Sequence, residues 1–224
     1  MIRTENLSYF PFELKSHTFH LLPEKALYWP LHKMLILADV HIGKISHFRR
    51  AGASLPLAAA NKQIVKLQEL INRVQPSAIV FLGDLFHSDF NSEWNAFQSV
   101  LKAHPDKEFI LIEGNHDVLD VQIYRQTGVE VKSQLVIDGF ILSHHPLEVN
   151  NNHTNLYTLC GHLHPGYLLE GKGRQRLRLP CLWLSKHQAV LPAYGDFTGT
   201  YPIEPQSGDI VFLISGLQIN RLDF

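Results

Sequence analysis

Short apolar runs alternate with amphipathic stretches through the first half of the chain. Residues 33–39 (KMLILAD), 77–84 (SAIVFLGD) and 108–115 (EFILIEGN) are each a continuous apolar run closed by polar residues. Runs of this length that do not alternate predict strands buried on both faces. Between the first two, residues 54–76 carry Leu57, Asn61, Ile64, Leu67, Ile71 and Val74 at helical spacing. Ser54 stands where a cap would, Pro56 suits a first turn and Pro76 follows the end, so a helix is predicted there. Residues 92–104 (SEWNAFQSVLKAH) predict a second helix, with Trp94, Phe97, Val100 and Leu101 inward. Residues 18–32 read as a hairpin turning at Pro23-Glu24-Lys25. Residues 129–146 read as strands with a tight turn at Asp138-Gly139, and 156–164 (LYTLCGHLH) as a strand and loop. The last third is strand-like: RQRLRLPCLWLS, QAVLPAY and DIVFLISG between Gly and Pro breaks. Strand–helix alternation followed by strands predicts an α/β front half whose sheet packs on a second sheet, with helices outside. No repeat, low-complexity tract or Gly/Ser linker interrupts the 224 residues, so one domain over 1–224 is expected.

Composition narrows the class. Hydrophobic residues make up 45% and charged residues 18%, which is ordinary globular material. No apolar run reaches the roughly 18 residues that span a bilayer. The opening MIRTENLSYFPFEL has no apolar core behind a basic start, so no secretory signal is expected. Two cysteines do not make a disulfide framework; Cys160 and Cys181 read as small core residues of a cytoplasmic protein. A net charge of −1 argues against a histone-like nucleic-acid binder and leaves room for a local basic patch. Histidine is the outlier, at 14 residues against 20 Lys plus Arg. Imidazole is the commonest metal ligand, so metal chemistry enters the picture here.

Five polar motifs each close an apolar run. They are Asp39 and His41; Gly83, Asp84 and His87; Gly114, Asn115, His116 and Asp117; His144 and His145; Gly161, His162 and His164. In open α/β sheets, ligands bind outside the carboxyl ends of strands, so the five can converge on one crevice. Asp, His and Asn suit borderline divalent cations, and one carboxylate has two oxygens with which to bridge two ions. Two such ions held by two aspartates leave the site positive and suited to an anionic phosphate. The three glycines are read as allowing close backbone approach at the strand ends.

In that order DVH, GDLFH, GNHD, HH and GHLH resemble the calcineurin-like metallophosphoesterase superfamily. The resemblance implies a four-layer α/β/β/α sandwich of two mixed sheets flanked by helices, with a dinuclear phosphoesterase site. Carried over, one metal takes Asp39, His41, Asp84 and His164. The other takes Asp84, Asn115, His144 and His162, with Asp84 bridging and His144 preferred over His145. His116 is then a non-ligand histidine that protonates the leaving oxygen, and a bridging hydroxide is the nucleophile. Asp117 either orients His116 or a neighbouring backbone, or caps the next short helix. GDLFHS is similar to the nuclease subunit of double-strand-break repair complexes, where the equivalent of His87 lies beside the catalytic histidine. The whole chain looks most like the bacterial ligase-associated DNA damage response endonucleases, through ADVHIGK, HFRRAG, GDLFHS, EGNHD, SHHP, GHLHPG and LPAYGDFTG. That family implies a Mn²⁺-dependent DNA endonuclease of DNA repair, associated with a DNA ligase and a helicase. Fe²⁺ and Zn²⁺ also suit the donors.

Two stretches bear on nucleic acid directly. HFRRAG sets Arg49 and Arg50 in a loop after the first motif, and KGRQRLRLP spaces Arg174, Arg176 and Arg178 two apart. On a strand that spacing puts all three on one face, where guanidiniums can track a phosphodiester backbone. Taken without the metal motifs, they read as solvated edge charges. His17, His20, His32 and His104 read as structural, whereas His47, His145, His153 and His187 stay undecided. A small-molecule phosphoesterase acting on nucleotides or pyrophosphate links is the alternative. A non-catalytic binding module would show eroded ligand positions, and none is eroded here.

Overall fold

A computed structural model of the chain describes residues 8–50, 52, 54, 57–87, 92–117, 119–147, 155–196 and 198–224. In chain order its elements are β1 (Phe10–Leu14), β2 (His17–Leu22), β3 (Ala26–Trp29), β4 (Met34–Ala38), α1 (Lys44–Arg50), α2 (Leu57–Val74), β5 (Ala78–Leu82), α3 (Ser92–Ala103), β6 (Glu108–Ile112) and α4 (Val121–Gln126). They continue as β7 (Val129–Lys132), β8 (Leu135–Ile137), β9 (Phe140–Leu142), β10 (Tyr157–Cys160), β11 (Pro165–Glu170), β12 (Arg176–Leu184), β13 (Gln188–Val190), β14 (Tyr201–Pro202), β15 (Ile210–Ser215) and β16 (Gln218–Asp223).

Two mixed sheets flanked by helices result, as the sequence led us to expect. The first runs β1-β2-β3-β4-β5-β6-β7, antiparallel up to β4 and parallel from β4 to β7. The second runs β14-β11-β12-β13-β10-β9-β8, with β15 on β12 and β16 on β15.

The continuous apolar runs are explained by their two faces. Met34, Ile36 and Ala38 of β4, Val80 and Leu82 of β5, and Ile112 of β6 point into a core shared with the second sheet, including Phe140, Leu142, Leu159, Leu182 and Phe212. Their alternates Leu35, Leu37, Ile79, Phe81 and Leu111 pack under Ile64, Leu67 and Ile71 of α2 and Trp94, Phe97 and Val100 of α3. Every residue of β4 and β5, and every residue of β6 after the exposed Glu108, is buried on one face or the other, so no polar position interrupts the run. The opposite face of the second sheet carries a smaller cluster of Cys181, Ile203, Val211 and Leu213. Both cysteines are free and buried.

Strand register places the motifs. Ala38 pairs with Leu82 and Leu82 with Ile112, so β4, β5 and β6 end in step. In the second sheet β9 and β10 also run parallel, with Leu142 opposite Leu159. All five motifs therefore leave their strands at strand carboxyl ends, in two neighbouring groups.

Some elements differ from expectation. The hairpin gains a third strand, β1. HFRRAG begins inside α1 rather than in a loop, and α4 follows the GNHD motif, capped by Asp120, which accepts from Gln122 N at 2.8 Å. The expected arginine row is broken, because Arg174 belongs to a short 3-10 turn and β12 begins only at Arg176. Gly173 supplies the left-handed bend of that turn, with φ of 72°. The Asp138-Gly139 turn forms as predicted, with φ of 45° and 81° at its two central residues. Among the described residues no helix is long and apolar enough to cross a membrane.

Candidate metal centre

Three of the five motifs share a backbone device. Asp39, His41, Asp84, His162 and His164 have φ of 51°, 52°, 51°, 67° and 49°. The left-handed conformation costs a non-glycine residue about 1–2 kcal/mol. It turns each chain sharply off its strand, so that the side chain folds back over the sheet edge. Asp and His are among the residue types most often found there. Backbone bonds hold the bends in place: His41 N donates to Asp84 O at 2.8 Å, and Ile42 N to Leu85 O at 2.9 Å.

Glycine supplies the close approach. A Cβ at Gly83 would lie 2.2 Å from His144 Nδ1; at Gly114, 2.3 Å from Asp84 N; at Gly161, 2.6 Å from Asp39 Oδ2. Each contact joins one motif to another, so the glycines pack the strand ends together as the sequence suggested.

Two groups of donor atoms result. In the first, His164 Nε2 lies 3.3 Å from Asp39 Oδ1 and His41 Nε2 lies 3.7 Å from Asp84 Oδ2. In the second, His144 Nε2 lies 2.9 Å from Asn115 Oδ1, 3.2 Å from His162 Nδ1 and 3.4 Å from Asp84 Oδ1. Donors bound about 2.0–2.2 Å from one ion sit about 3–3.5 Å from each other, so these separations suit ligation. Asp84 faces both groups, one oxygen to each. Sets of donors within 4.8 Å include Asp39–His41–His164, Asp39–Asp84–His144 and His144–His145–His162.

Hydrogen bonding fits cations in these places. His144 Nδ1 donates to Leu82 O at 2.9 Å, which leaves Nε2 as a bare lone pair facing the Asn115 carbonyl oxygen. Two acceptors do not bond each other, and a cation reconciles them. Among the described residues, His41 is buried with neither ring nitrogen hydrogen-bonded, and buried Asp39 Oδ1 has no hydrogen-bond partner. Burial, then Lys44 and the rings of His164, His87 and His116, push His41 down to about 2. It is therefore a neutral imidazole, the form that ligates. Burial, then His145 and His144, lower His162 likewise.

The other histidines sort themselves. His116 lies outside the donor sets, exposed, its ring 4.7 Å from that of His87 and 6.0 Å from that of His41. His47 on α1 reaches the same group, 5.6 Å from His87. His145 is exposed and stands 4.2 Å from His162, whereas His144 is buried. His17 packs edge-on against Trp29 and Phe140, His20 stacks on Tyr9, and His32 bonds Asp138 at 2.8 Å. His153 lies outside the described residues.

Asp117 acts on backbone, not on His116. Its Oδ2 accepts from Asp84 N at 2.9 Å and Gly114 N at 2.8 Å; its Oδ1 accepts from Leu85 N at 2.8 Å, Phe86 N at 3.2 Å and Tyr124 Oη at 3.4 Å. Of the roles open to it, the structure selects the neighbouring backbone, and α4 takes its cap from Asp120 instead. Burial pushes this carboxyl up to about 6 against the backbone donors, so it is ionised at neutral pH.

The arginines divide. Arg49 and Arg50 end α1, which Ser46 ties to Glu93 of α3 at 2.8 Å. Arg176 pairs with Glu170 at 3.1 Å, and Arg178 Nη1 donates to Thr200 O at 3.3 Å. The Arg174 side chain lies outside the described residues. The described residues of LPAYGDFTG, whose purpose its sequence did not reveal, help strap the two motif-bearing edges together. Tyr194 N donates to Ala38 O at 2.8 Å, Gly195 N to Asp39 O at 3.1 Å, and, just beyond, Tyr201 N to His164 O at 2.8 Å. Lys44 beside Asp39 and Asp84 was also missed, since nothing in its local sequence marks it.

The family model described as calcineurin-like phosphoesterase matches residues 32–216. The solved structure of the Pseudomonas putida nuclease MPE is similar at a TM-score of 0.75 and 28% identity, over 96% of this chain and 100% of that one. The Aquifex aeolicus protein AQ665, of unknown function, gives 0.42 at 16% identity, over 63% of this chain and 82% of that one. A predicted phosphoesterase of Streptococcus pneumoniae gives 0.32 at 14%, over 85% and 88%. A search of the curated proteins finds no match.

Proposed function

The chain belongs to the calcineurin-like phosphoesterase family, and from that premise we propose that it is a dinuclear metal-dependent phosphodiesterase that cuts DNA. One observation carries the reading: the two oxygens of Asp84 face two separate donor groups, at 3.7 Å from His41 and 3.4 Å from His144. Asp39, His41, Asp84 and His164 would hold one ion, and Asp84, Asn115, His144 and His162 the other. Divalent ions bound there supply Lewis acidity toward the phosphoryl oxygens and a lowered pKa for water.

The chain's own residues do the rest. His116 N donates to Asp84 Oδ1 at 2.9 Å, so the residue that bridges also fixes the loop carrying the His116 ring. That ring is exposed beside the donor groups, where it can give a proton to the departing oxygen. His87, 4.7 Å away, holds it from the side. Burial, then Lys44, His116 and His47, push His87 down to about 4, so it packs there uncharged.

DNA as substrate is supported by the likeness to a nuclease at 28% identity over nearly the whole chain. We assign Mn²⁺ as the working ion and a role in DNA repair alongside a ligase and a helicase, on the resemblance to the ligase-associated endonucleases. The test is incubation of the purified protein with Mn²⁺ and circular single-stranded DNA, beside a small chromogenic phosphodiester. Linearisation of the circle by the wild type, lost together with at least one bound ion in Asp84→Ala, is expected. Cleavage of the small ester alone would turn the assignment to a nucleotide-scale substrate. Full two-ion occupancy in Asp84→Ala would overturn the bridging role.

A further inference from the structure

A cavity of about 470 Å³ lies on the flank of the first donor group. Its lining includes Lys25 from the β2–β3 turn, Lys62 from α2, and Gly195, Asp196, Thr198 and Thr200 from the strap. Two of its walls adjoin residues of the donor group. Gly195 bonds the backbone of Asp39, and Thr200 precedes Tyr201, which bonds the backbone of His164. Thr200 also lies against Gly166, two residues beyond His164, and its carbonyl takes the Arg178 guanidinium. The cavity thus adjoins the backbone that carries Asp39 and His164, and its volume is at the scale of a nucleotide.

Its charge is incompletely balanced. Lys25 has only 16% of its side chain exposed, and its Nζ donates to Gly195 O at 3.1 Å. The carboxylate of Asp196 stays 3.9 Å off and is 46% exposed. Lys62 adds a second cation to the lining, and Lys66 lies close by with its Nζ 4.5 Å over the Tyr194 ring. Burial first, then Lys66, lower Lys25 to about 8 despite Asp196. The lining thus carries two ammoniums, Lys25 and Lys62, against the single carboxylate of Asp196, and that excess beside an open cavity favours an incoming anion.

We propose that this cavity is a substrate subsite: it receives a backbone phosphate of the DNA strand next to the one being cut, held by Lys25 and Lys62. The inference rests on the phosphodiesterase reading above and deepens it, since it makes the enzyme read a strand rather than one ester. Of the arginine row suspected from sequence, Arg178 reaches the subsite's wall, through the Thr200 carbonyl.

The test compares kcat/KM on a single-stranded oligonucleotide with that on the small phosphodiester, which has no neighbouring phosphate to place in the cavity. Lys62 is exposed, so Lys62→Ala is expected to fold; Lys25→Met is the second variant. The DNA-to-ester ratio is expected to fall about five- to tenfold in each. The slope of log(kcat/KM) for DNA against log[salt] should flatten by about 0.7 for each phosphate no longer neutralised. A ratio and salt slope unchanged in both variants would overturn the subsite. So would an equal fall on both substrates with the slope intact, which means the lysines act through the fold. Should the wild type cleave the ester but not DNA, the nuclease reading fails instead. The subsite is then decided by inhibition of ester cleavage by a thymidine dinucleotide. Weaker inhibition of Lys62→Ala supports it, and equal inhibition overturns it.

Discussion

Asp117→Asn removes one formal charge and no volume, yet the structure predicts a large effect. The carboxylate accepts four backbone N–H groups from the two loops that carry Asp84 and Asn115, two on each oxygen. An amide offers one oxygen. If that oxygen stays with Asp84 N and Gly114 N, the NH₂ group meets the N–H groups of Leu85 and Phe86, and two buried donors lose their acceptor. Each such loss costs about 1–3 kcal/mol, and the bonds that remain weaken because they are no longer charge-assisted. The sum is about 3–5 kcal/mol, a large share of the roughly 5–15 kcal/mol that holds a typical domain. Urea unfolding with EDTA present measures this without bound ions masking it. The same variant should bind Mn²⁺ at least tenfold more weakly by calorimetry, because the Asp84 and Asn115 loops lose their common anchor. A loss below about 1 kcal/mol with Mn²⁺ affinity intact would refute the argument. Loss of turnover with stability and affinity both intact would instead put Asp117 in the chemistry.

Other expectations follow from the same geometry. Gly83→Ala places a methyl 2.2 Å from His144 Nδ1, so bound Mn²⁺ measured by elemental analysis should fall from two ions toward one. His116→Ala should keep both ions and lose kcat by about 10²–10⁴-fold, the usual worth of general acid–base catalysis; loss of an ion in that variant would make His116 a ligand. Lys25 lies below its ordinary 10.5, at about 8. Between those values the folded chain has shed a proton that the unfolded chain still binds, so stability should rise with pH across that window. Urea midpoints from pH 7.5 to 10 should show a shallower rise in Lys25→Met than in the wild type.

The sequence by itself determined the local parts. Apolar runs such as KMLILAD and SAIVFLGD set the buried strands, because a strand covered on both faces has no polar position to show. The order of Asp, Asn and His after those runs set the chemical type, since these residues tolerate a left-handed bend and carry metal-binding atoms. The tight Asp138-Gly139 turn was legible for the same local reason. Other features needed distant chain. Asp117 had several plausible partners in sequence, and only the packing of the β5 and β6 ends gave its carboxylate to the backbone of residues 84–86 and 114. His144 and His145 are alike as neighbours; the approach of Gly83 turns the first inward and leaves the second at the surface. The spacing of Arg174, Arg176 and Arg178 suited one strand, but Arg174 ends a short 3-10 turn and only Arg176 and Arg178 lie on β12. LPAYGDFTG carried a resemblance but no sign of its role, because its described residues act through backbone bonds to Ala38 and Asp39. Backbone groups are the same in every sequence, so only the tertiary structure could decide which of them meet.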